Sequence, residues 1–333
     1  MRNDVYDLIG VGSPIVDSLA HVPESFIAES GGEKGGMVMV DGAGMVDLVA
    51  RLPEPPVEAP GGSAGNTVVS AARLGLRASF LGKLGGDDAA RFYQDSFLRA
   101  GIDVSRFKHS RLPNARCLSL ITPDSERTMR TFLGAAMEFG PDEVSEADFS
   151  GCRHAHIEGY VLFNEGLARK VLNSAKAAGC TVSLDLASFE VVRATRAVLT
   201  DLLREAVDVV FANEDEARAF CGEGQSFEAM ARDLATLCRV AAVKMGKDGA
   251  LIAEGETVVP VEPRPAPRVQ DTTGAGDLWA GGFLAGWLRG LPLPTCGKLG
   301  SILGAEVVQV LGANLPARQW DLVVEEAREL GLE

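Results

Sequence analysis

A chain of 333 residues that is 46% hydrophobic and 23% charged has the balance of a folded globular protein, not of a disordered or fibrous one. Its formal net charge of −14 repels nucleic-acid phosphates and anionic lipid, so neither nucleic acid nor a membrane surface is an expected partner. The composition therefore favours small-molecule chemistry, with any anionic ligand held by a local binding device.

In the N-terminal third, short apolar runs alternate with helical patterns. The runs VYDLIGVG (5–12) and ASFLGKLG (78–85) predict strands, and SAGNTVVSAARLG (63–75) predicts a helix that ends at a glycine. The segment 87–101 predicts a second helix, because acids open it and Gly101 closes it.

The same alternation continues after residue 150. Continuous β-rich runs predict strands at 154–159, 180–187, 208–213 and 240–246, and apolar residues at helical spacing predict helices at 164–179, 189–206 and 214–222. Strands without polar alternation, separated by helices, indicate a parallel sheet that is covered on both faces. The main body is therefore predicted to be α/β.

Two segments break this alternation, residues 13–45 and residues 105–133. They show strand-like alternation and turn signals without a helix pattern, and predict a small antiparallel sheet, the lid, that covers a site or contacts a second subunit. Segments 1–12, 46–104 and 134–333 then form the body. Within it, the proline-rich stretch 52–62 is interpreted as a connector returning from the lid.

The six cysteines are scattered, without a C-x-x-C pair or the spacing of a zinc site. We interpret them as reduced thiols, which are typical of a reducing compartment. The N-terminal segment has acids where a signal peptide would be apolar, and no run approaches the ~20 apolar residues of a membrane span. We therefore expect a cytoplasmic protein.

The stretch DTTGAGD (271–277) runs directly into a small-residue, apolar helical pattern. Gly274, Ala275 and Gly276 would lie at the N-terminus of that helix, where free backbone N–H groups and the helix dipole bind anions. Asp277 follows in the first turn. A carboxylate there can take a proton from a group that attacks the bound anion, or it can simply complement the helix dipole, so both roles stay open at this point.

Other glycine-rich fingerprints are missing. The sequence has no G-x-x-x-x-G-K-[ST] loop, and GVGSPI (10–15) fails the dinucleotide pattern at Ile15. Hydride transfer and P-loop hydrolysis are therefore disfavoured.

Several motifs, in order, resemble one family. They are GVGSPIVD (10–17), GGSAGNTVVSAARLG (61–75), GKLGGDD (82–88), NEDE (213–216), VKMGKDGA (243–250), DTTGAGD (271–277) and VVQVLGANLP (307–316). The sequence resembles the ribokinase-like, or PfkB, carbohydrate and nucleoside kinases over nearly its whole length. The resemblance implies a three-layer α/β sandwich with a mostly parallel central sheet flanked by helices, and a small β-sheet lid.

The resemblance also implies ATP-dependent phosphorylation of an alcohol. Asp277 would be the general base, and the amides of Gly274, Ala275 and Gly276 would stabilise charge on the transferring phosphoryl group. Asp17 would accept hydrogen bonds from adjacent sugar hydroxyls. The remaining implied substrate-binding residues are Gly61, Gly62 and Asn66.

The implied nucleotide-binding residues are Asn213, Glu216, Lys244, Gly246 and Gly249. Asn213 and Glu216 match an N-x-x-E pattern that organises Mg²⁺, through water, beside the phosphates. Lys244 stands where many members have threonine, and Ser301 stands where many have an asparagine near the adenine.

A monovalent-cation site, for K⁺, is implied near Asp271 and Thr273. Arg127 and Arg130, in the lid, could reach phosphate or substrate, and solvated strand charge is the alternative that we favour. Glu158, at the end of a predicted strand, is a weaker candidate for substrate contact.

Stretches such as ERTMRTFLGAA (126–136) look most like the adenosine-kinase-like branch. A nucleoside and a free sugar are equally favoured as acceptor, and fructose- and 2-keto-3-deoxygluconate-type substrates stay open. The other functional classes are a non-catalytic sugar- or nucleotide-sensing module and a homo-oligomeric scaffold. A homodimer through the lid sheet is compatible with a kinase.

Overall fold

The computed structural model describes residues 6–31, 33–124 and 126–332. Residues 1–5 of the predicted body segment 1–12 lie outside the described residues, as does Glu333. Within the described ranges no helix is long and apolar enough to cross a membrane.

The strands, in chain order, are β1 (Tyr6–Val11), β2 (Ile15–His21), β3 (Met37–Met39), β4 (Val57–Pro60), β5 (Ala78–Leu81), β6 (Lys83–Leu84), β7 (Lys108–His109), β8 (Ala115–Ile121), β9 (Arg127–Phe132), β10 (Cys152–Glu158), β11 (Thr181–Asp185), β12 (Val209–Asn213), β13 (Val240–Lys244), β14 (Ala250–Glu254) and β15 (Thr257–Val261).

The α-helices are α1 (Glu24–Glu29), α2 (Gly42–Ala50), α3 (Ser63–Arg73), α4 (Asp88–Arg99), α5 (Glu165–Ala177), α6 (Phe189–Ala206), α7 (Glu214–Cys221), α8 (Phe227–Ala235), α9 (Ala275–Leu288), α10 (Leu293–Val307) and α11 (Ala317–Glu329). Short 3₁₀ helices cover Gly134–Glu138, Pro141–Glu143, Glu146–Phe149, Gly159–Phe163 and Gly246–Asp248.

A large central sheet forms the body. Its strand order in the described chain is β15-β14-β13-β12-β11-β10-β1-β5. In this sheet the neighbouring strands β5, β1, β10, β11, β12 and β13 pair in parallel, and the pairs β13–β14 and β14–β15 are antiparallel. The predicted mostly parallel sheet is confirmed.

Side chains of the buried strands point alternately into two hydrophobic cores. In β12, Val209 and Phe211 belong to the core that contains α3, α4, α9, α10 and α11. Val210 and Ala212 belong to the core that contains α5, α6, α7 and α8. The sheet therefore has helices on both faces, as the lack of polar alternation in its strands predicts.

Helix α9 packs unusually close to its neighbours. A Cβ added to Gly281 would lie 1.9 Å from the Ser70 Oγ on α3, and one added to Gly282 would lie 2.6 Å from the Leu299 carbonyl oxygen on α10. Glycine at these positions lets the helices approach, and the N-termini of α3 and α9 meet as a result.

The smaller sheet, which we call the lid sheet, has the order β3-β9-β8-β2-β4. It contains strands from both predicted lid segments. Its β2–β8 and β3–β9 pairs are parallel, so the sheet is mixed, whereas an antiparallel sheet was predicted.

Two predictions about the lid segments were wrong in detail. Helix α1 lies within segment 13–45 and α2 begins there, although no helix pattern was recognised. Both helices are short, and they bury only a few apolar side chains, such as Phe26 and Leu48, on the lid sheet. The stretch 52–62, interpreted as a connector, contains β4, whose position at the sheet edge tolerates Pro60.

Candidate active site

Polar side chains meet where the parallel strands end. Glu158 ends β10, Asp185 ends β11, Asn213 ends β12 and Lys244 ends β13. The strand register pairs Glu158 with Asp185 and Asn213 with Lys244. These four residues therefore lie along one edge of the sheet, the edge at which open α/β sheets bind ligands.

The loop before α9 reaches the same edge. Gly274 caps the helix with a φ of 76°, a left-handed conformation that favours glycine. The helix begins at Ala275, so the amides of its first turn have no partner within the helix. The Ala275 amide donates a 3.2 Å hydrogen bond to the Thr272 carbonyl. The start of α9 thus has the helix-terminal geometry at which anions bind, and anion binding by Gly274, Ala275 and Gly276 stays a prediction.

Asp277 joins the two sequence motifs. Its Oδ1 accepts a 2.8 Å hydrogen bond from the Ser63 hydroxyl, and its Oδ2 accepts one of 2.9 Å from the Asn66 side-chain amide. The Thr67 hydroxyl also donates to the Asp277 backbone carbonyl at 3.0 Å. Three residues of α3 therefore hold the first turn of α9.

This environment changes the protonation of Asp277. Burial raises its pKa to about 6, the charge of Asp185 adds to the rise, and the hydrogen bonds from Asn66 and Ser63 oppose it. A carboxylate with such a pKa is ionised near neutral pH and is more basic than an ordinary aspartate.

A buried ion pair lies beside residues 274–276 at the start of α9, which we call the anion loop. The Lys244 Nζ is 2.8 Å from the Asp185 Oδ2, and both side chains are almost fully buried. A Cβ added to Gly276 would be 3.0 Å from that Nζ, so the ammonium directly adjoins the first turn of α9. Burial lowers the pKa of Lys244, because it disfavours the ammonium charge. The negative charges of Asp185 and Glu216 have a larger effect, so the pKa of Lys244 is raised overall.

Asp185 is further fixed from its own strand end. The amide of Ala187 donates a 2.9 Å hydrogen bond to the Asp185 Oδ1. Ala187 has a φ of 63°, which non-glycine residues rarely adopt and which concentrates at functional sites.

Asn213 and Glu216 form a capping box at the start of α7. The Glu216 Oε2 accepts from the Asn213 amide N–H, and its Oε1 accepts from the Asn213 side chain, each at 2.7 Å. Burial and Asp185 raise the pKa of Glu216 to about 7. Because Asn213 engages both carboxylate oxygens, the residues fit an Mg²⁺ ion that Glu216 holds through its water shell, not by direct ligation.

The proposed sugar end of the site lies between β2 and the start of α3. A Cβ on Gly61 would come within 2.2 Å of the Asp17 Oδ2, so only glycine allows the carboxylate to lie there. Gly62 has a φ of 85° and caps α3. Among the described residues no hydrogen-bond donor contacts the Asp17 carboxylate, and burial raises its pKa to about 7. Its oxygens are thus available to hydroxyl groups.

Glu158 completes this end of the site. It accepts hydrogen bonds from the amides of Ser13 at 2.8 Å and Ala64 at 3.3 Å. A Cβ on Gly12 would collide with its carboxylate. Burial raises the pKa of Glu158 to about 7, although both amide bonds lower it.

The two glycines that the resemblance assigns to the nucleotide turn the chain from β13 into β14. Gly246 and Gly249 have φ values of 51° and 89°. No atom lies within 4 Å of a Cβ added to Gly246, whereas one added to Gly249 would meet the Val261 carbonyl oxygen at 2.2 Å. Gly249 is therefore required by the close packing of the β14–β15 hairpin, whereas the backbone at Gly246 faces open space.

The implied monovalent-cation site does not fit the donor atoms present. The Asp271 Oδ1 accepts a 2.9 Å hydrogen bond from the Arg127 Nη1, which also contacts the Thr273 hydroxyl.

Interpreting Arg127 and Arg130 as solvated strand charges was wrong. The Arg130 side chain is buried and donates to carbonyl groups of Met129 and Ser30.

Sequence reasoning missed several residues of this site. Ser63 could have been predicted from the sequence. It follows Gly61 and Gly62 in the first turn of a predicted helix, where a hydroxyl can hydrogen-bond to a nearby polar group. Asp185 lies two residues before the end of the predicted strand 180–187, close to the kind of position that drew attention to Glu158. The contact between Arg127 and Asp271 joins residues 144 positions apart, and no local pattern indicates it.

Comparison with known proteins agrees with this geometry. The family model for pfkB carbohydrate kinases matches residues 36–320. The chain belongs to the PfkB family. Membership implies that the protein is a phosphotransferase with an alcohol acceptor. It also implies that the substrate is a small sugar or nucleoside and that the protein uses ATP.

Solved structures of high similarity cover nearly all of the chain. An adenosine kinase from Sinorhizobium meliloti is 34% identical with a TM-score of 0.85, covering 97% of this chain and 99% of its own. A probable sugar kinase from Rhizobium etli is 32% identical with a TM-score of 0.87, covering 100% of both chains. The adenosine kinase of Saccharomyces cerevisiae is 27% identical over 94% of this chain and 97% of its own. The fold is ribokinase-like.

The raised pKa of Asp277 predicts a pH-dependent gain in stability for Asp277→Asn. The folded-state pKa of about 6 exceeds the reference value of 3.8, so ionising this group costs folding free energy that grows from about pH 4 and is fully developed above about pH 6. We expect the variant to be more stable than the wild type at pH 8 by up to about 3 kcal/mol, and the difference to shrink to nothing near pH 4. Thermal unfolding across this range measures it.

Asp95→Asn, on the exposed surface of α4, is the matched control and should show no comparable trend. A stability difference for Asp277→Asn that is independent of pH would contradict the assignment.

Proposed function

We propose that the protein is a nucleoside kinase that transfers the γ-phosphoryl group of ATP to a primary hydroxyl of its acceptor, with Asp277 as the general base. The single observation that carries the proposal is the position of the Asp277 carboxylate. It lies in the first turn of α9, beside the anion loop, and is held by Ser63 and Asn66 from the opposite motif.

The reaction balances in one step. The acceptor oxygen attacks the γ-phosphorus, its proton passes to the Asp277 carboxylate, and the bond between the γ-phosphorus and the β–γ bridging oxygen breaks to release ADP. A pKa of about 6 keeps Asp277 ionised at neutral pH and able to accept the proton.

Charge on the transferring group is met by fixed donors. The amides of Gly274, Ala275 and Gly276 supply the positive end of α9. The Lys244 ammonium, next to Gly276, adds a full charge, and its ion pair with Asp185 holds it in place before ATP binds.

Acceptor and nucleotide are assigned to opposite sides of this centre. Asp17 and Glu158 would bind sugar hydroxyls, with Gly61, Gly62 and Asn66 forming the surrounding backbone and amide contacts. Glu216 and Asn213 would orient the water shell of Mg²⁺, and Gly246 and Gly249 would lie under the nucleotide. When bound, Mg²⁺ would neutralise phosphate charge.

The nucleoside acceptor is supported by similarity to adenosine kinases over nearly the full chain. The probable sugar kinase matches over an equal length, so a free sugar of the fructose or 2-keto-3-deoxygluconate type is the second candidate. We place the protein in the cytoplasm, where ATP is available and its cysteines would stay reduced.

The test is ADP release with Mg-ATP and a panel of adenosine, other nucleosides, ribose, fructose and 2-keto-3-deoxygluconate, for the wild type and Asp277→Asn. We expect turnover with adenosine, and a loss of about 10² to 10⁴ in kcat for the variant because the proton acceptor is gone. Acceptor binding, measured by calorimetry, should persist. Unchanged kcat would contradict the base assignment, and turnover of a free sugar alone would replace the nucleoside.

Lys244→Met tests the fixed charge. We expect kcat to fall by about 10- to 100-fold, since one cationic group near the developing charge is lost. Lys170→Met, on the exposed surface of α5, is the control and should keep full activity.

A double variant separates catalysis from ion pairing. If Lys244 only neutralises Asp185, then Lys244→Met combined with Asp185→Asn should recover the wild-type kcat. Recovery would contradict a direct role of Lys244 with the phosphates.

We further propose a homodimer through the lid sheet. Strand β3 pairs only with β9 in the described chain, and its residues Met37, Val38 and Met39 are 55%, 38% and 50% exposed. An exposed apolar edge strand is a template for pairing with another chain. Val38→Lys should shift the protein from dimer to monomer in light scattering, and a monomeric wild type would contradict this proposal.

A further inference from the structure

A lid residue reaches into the loop that precedes α9. Arg127 is the first residue of β9, and its guanidinium contacts both the Asp271 carboxylate and the Thr273 hydroxyl. These are the two side chains to which the family resemblance assigns a monovalent cation.

Three N–H donors already occupy the Asp271 carboxylate, at least one on each oxygen. Its Oδ1 accepts from the Arg127 Nη1 at 2.9 Å and from the Thr273 amide at 3.0 Å, and its Oδ2 accepts from the Gly312 amide at 2.6 Å. A K⁺ ion binds oxygen lone pairs, and here N–H groups take both lone pairs of Oδ1 and one of Oδ2.

Burial strengthens the ion pair. The side chain of Asp271 is 3% exposed and that of Arg127 is 18% exposed, so solvent screens the interaction weakly. A second unit charge beside the guanidinium would be repelled in this setting. The guanidinium also neutralises Asp271 without any ion from solution.

We propose that the Arg127 guanidinium takes the place of a monovalent cation beside the anion loop, so that the protein binds no K⁺ there and works without it. The positive charge is delivered by the lid sheet, which couples the lid to the loop that carries Gly274, Ala275 and Gly276. The activity arm of the test rests on the proposed kinase function, and the stability arm does not.

The wild-type protein is measured first. Its thermal unfolding temperature and its turnover are compared in potassium, sodium and tetramethylammonium chloride at equal ionic strength. We expect the unfolding temperature to be the same in all three salts, and the ratio of turnover in K⁺ to turnover in tetramethylammonium to be about one. A K⁺-specific rise in either quantity would overturn the proposal, because an ion would then bind beside Arg127.

The variant Arg127→Met removes the charge and keeps an unbranched stem. We expect it to acquire a K⁺ response, with an unfolding temperature about 2 °C higher in K⁺ than in tetramethylammonium, since the vacated oxygens of Asp271 and Thr273 can now bind the ion. Arg127→Lys, which keeps the charge, should show no such response.

Lys34→Met is the matched control. Lys34 bridges Glu24 and Asp124 elsewhere in the lid, on the exposed surface, and its loss should produce no K⁺-specific effect. A folded Arg127→Met protein without a K⁺ response would overturn the proposal. If this variant fails to fold, the wild-type salt comparison still decides. Absence of turnover with every acceptor would count against the proposed function alone, because the unfolding measurements use no substrate.

Discussion

The structure depends on the hydrogen bonds that hold the first turn of α9 against α3. Ser63, Asn66 and Thr67 bind the Asp277 side chain and backbone, and close packing at Gly281 brings the helices together. One helix carries the N-terminal motif and the other the C-terminal motif, so the proposed reacting centre forms only when the whole body has folded. The same contacts fix the carboxylate that we assign as the base.

Charge balance is the second constraint. Asp17, Glu158, Glu216 and Asp277 all have raised pKa values, chiefly because they are buried. Lys244 supplies positive charge from a body strand and Arg127 supplies it from the lid sheet. A highly acidic protein can therefore bind a polyanionic nucleotide, since these fixed cations and the first turn of α9 act locally.

The alternating pattern of apolar strands and helices was sufficient to predict the parallel sheet and its two helix layers, because burial on both faces imposes that pattern. The short lid elements were less predictable. Helix α2 depends on tertiary packing of a few apolar residues, and β4 contains a proline that only an edge position tolerates. Long-range contacts, such as that of Arg127 with Asp271, leave no local signal. The Lys244–Asp185 pair likewise depends on strand register, which the sequence pattern does not specify.

A crystal structure with ADP, a phosphoryl-transfer analogue such as aluminium fluoride, and the acceptor would show directly whether Asp277 is the general base. We expect the acceptor hydroxyl oxygen to lie within hydrogen-bond distance, about 2.6–3.2 Å, of an Asp277 carboxylate oxygen, with the analogue against the first turn of α9. A hydroxyl placed on Glu158 or Asp17 instead, with Asp277 bound only to Ser63 and Asn66, would contradict this assignment.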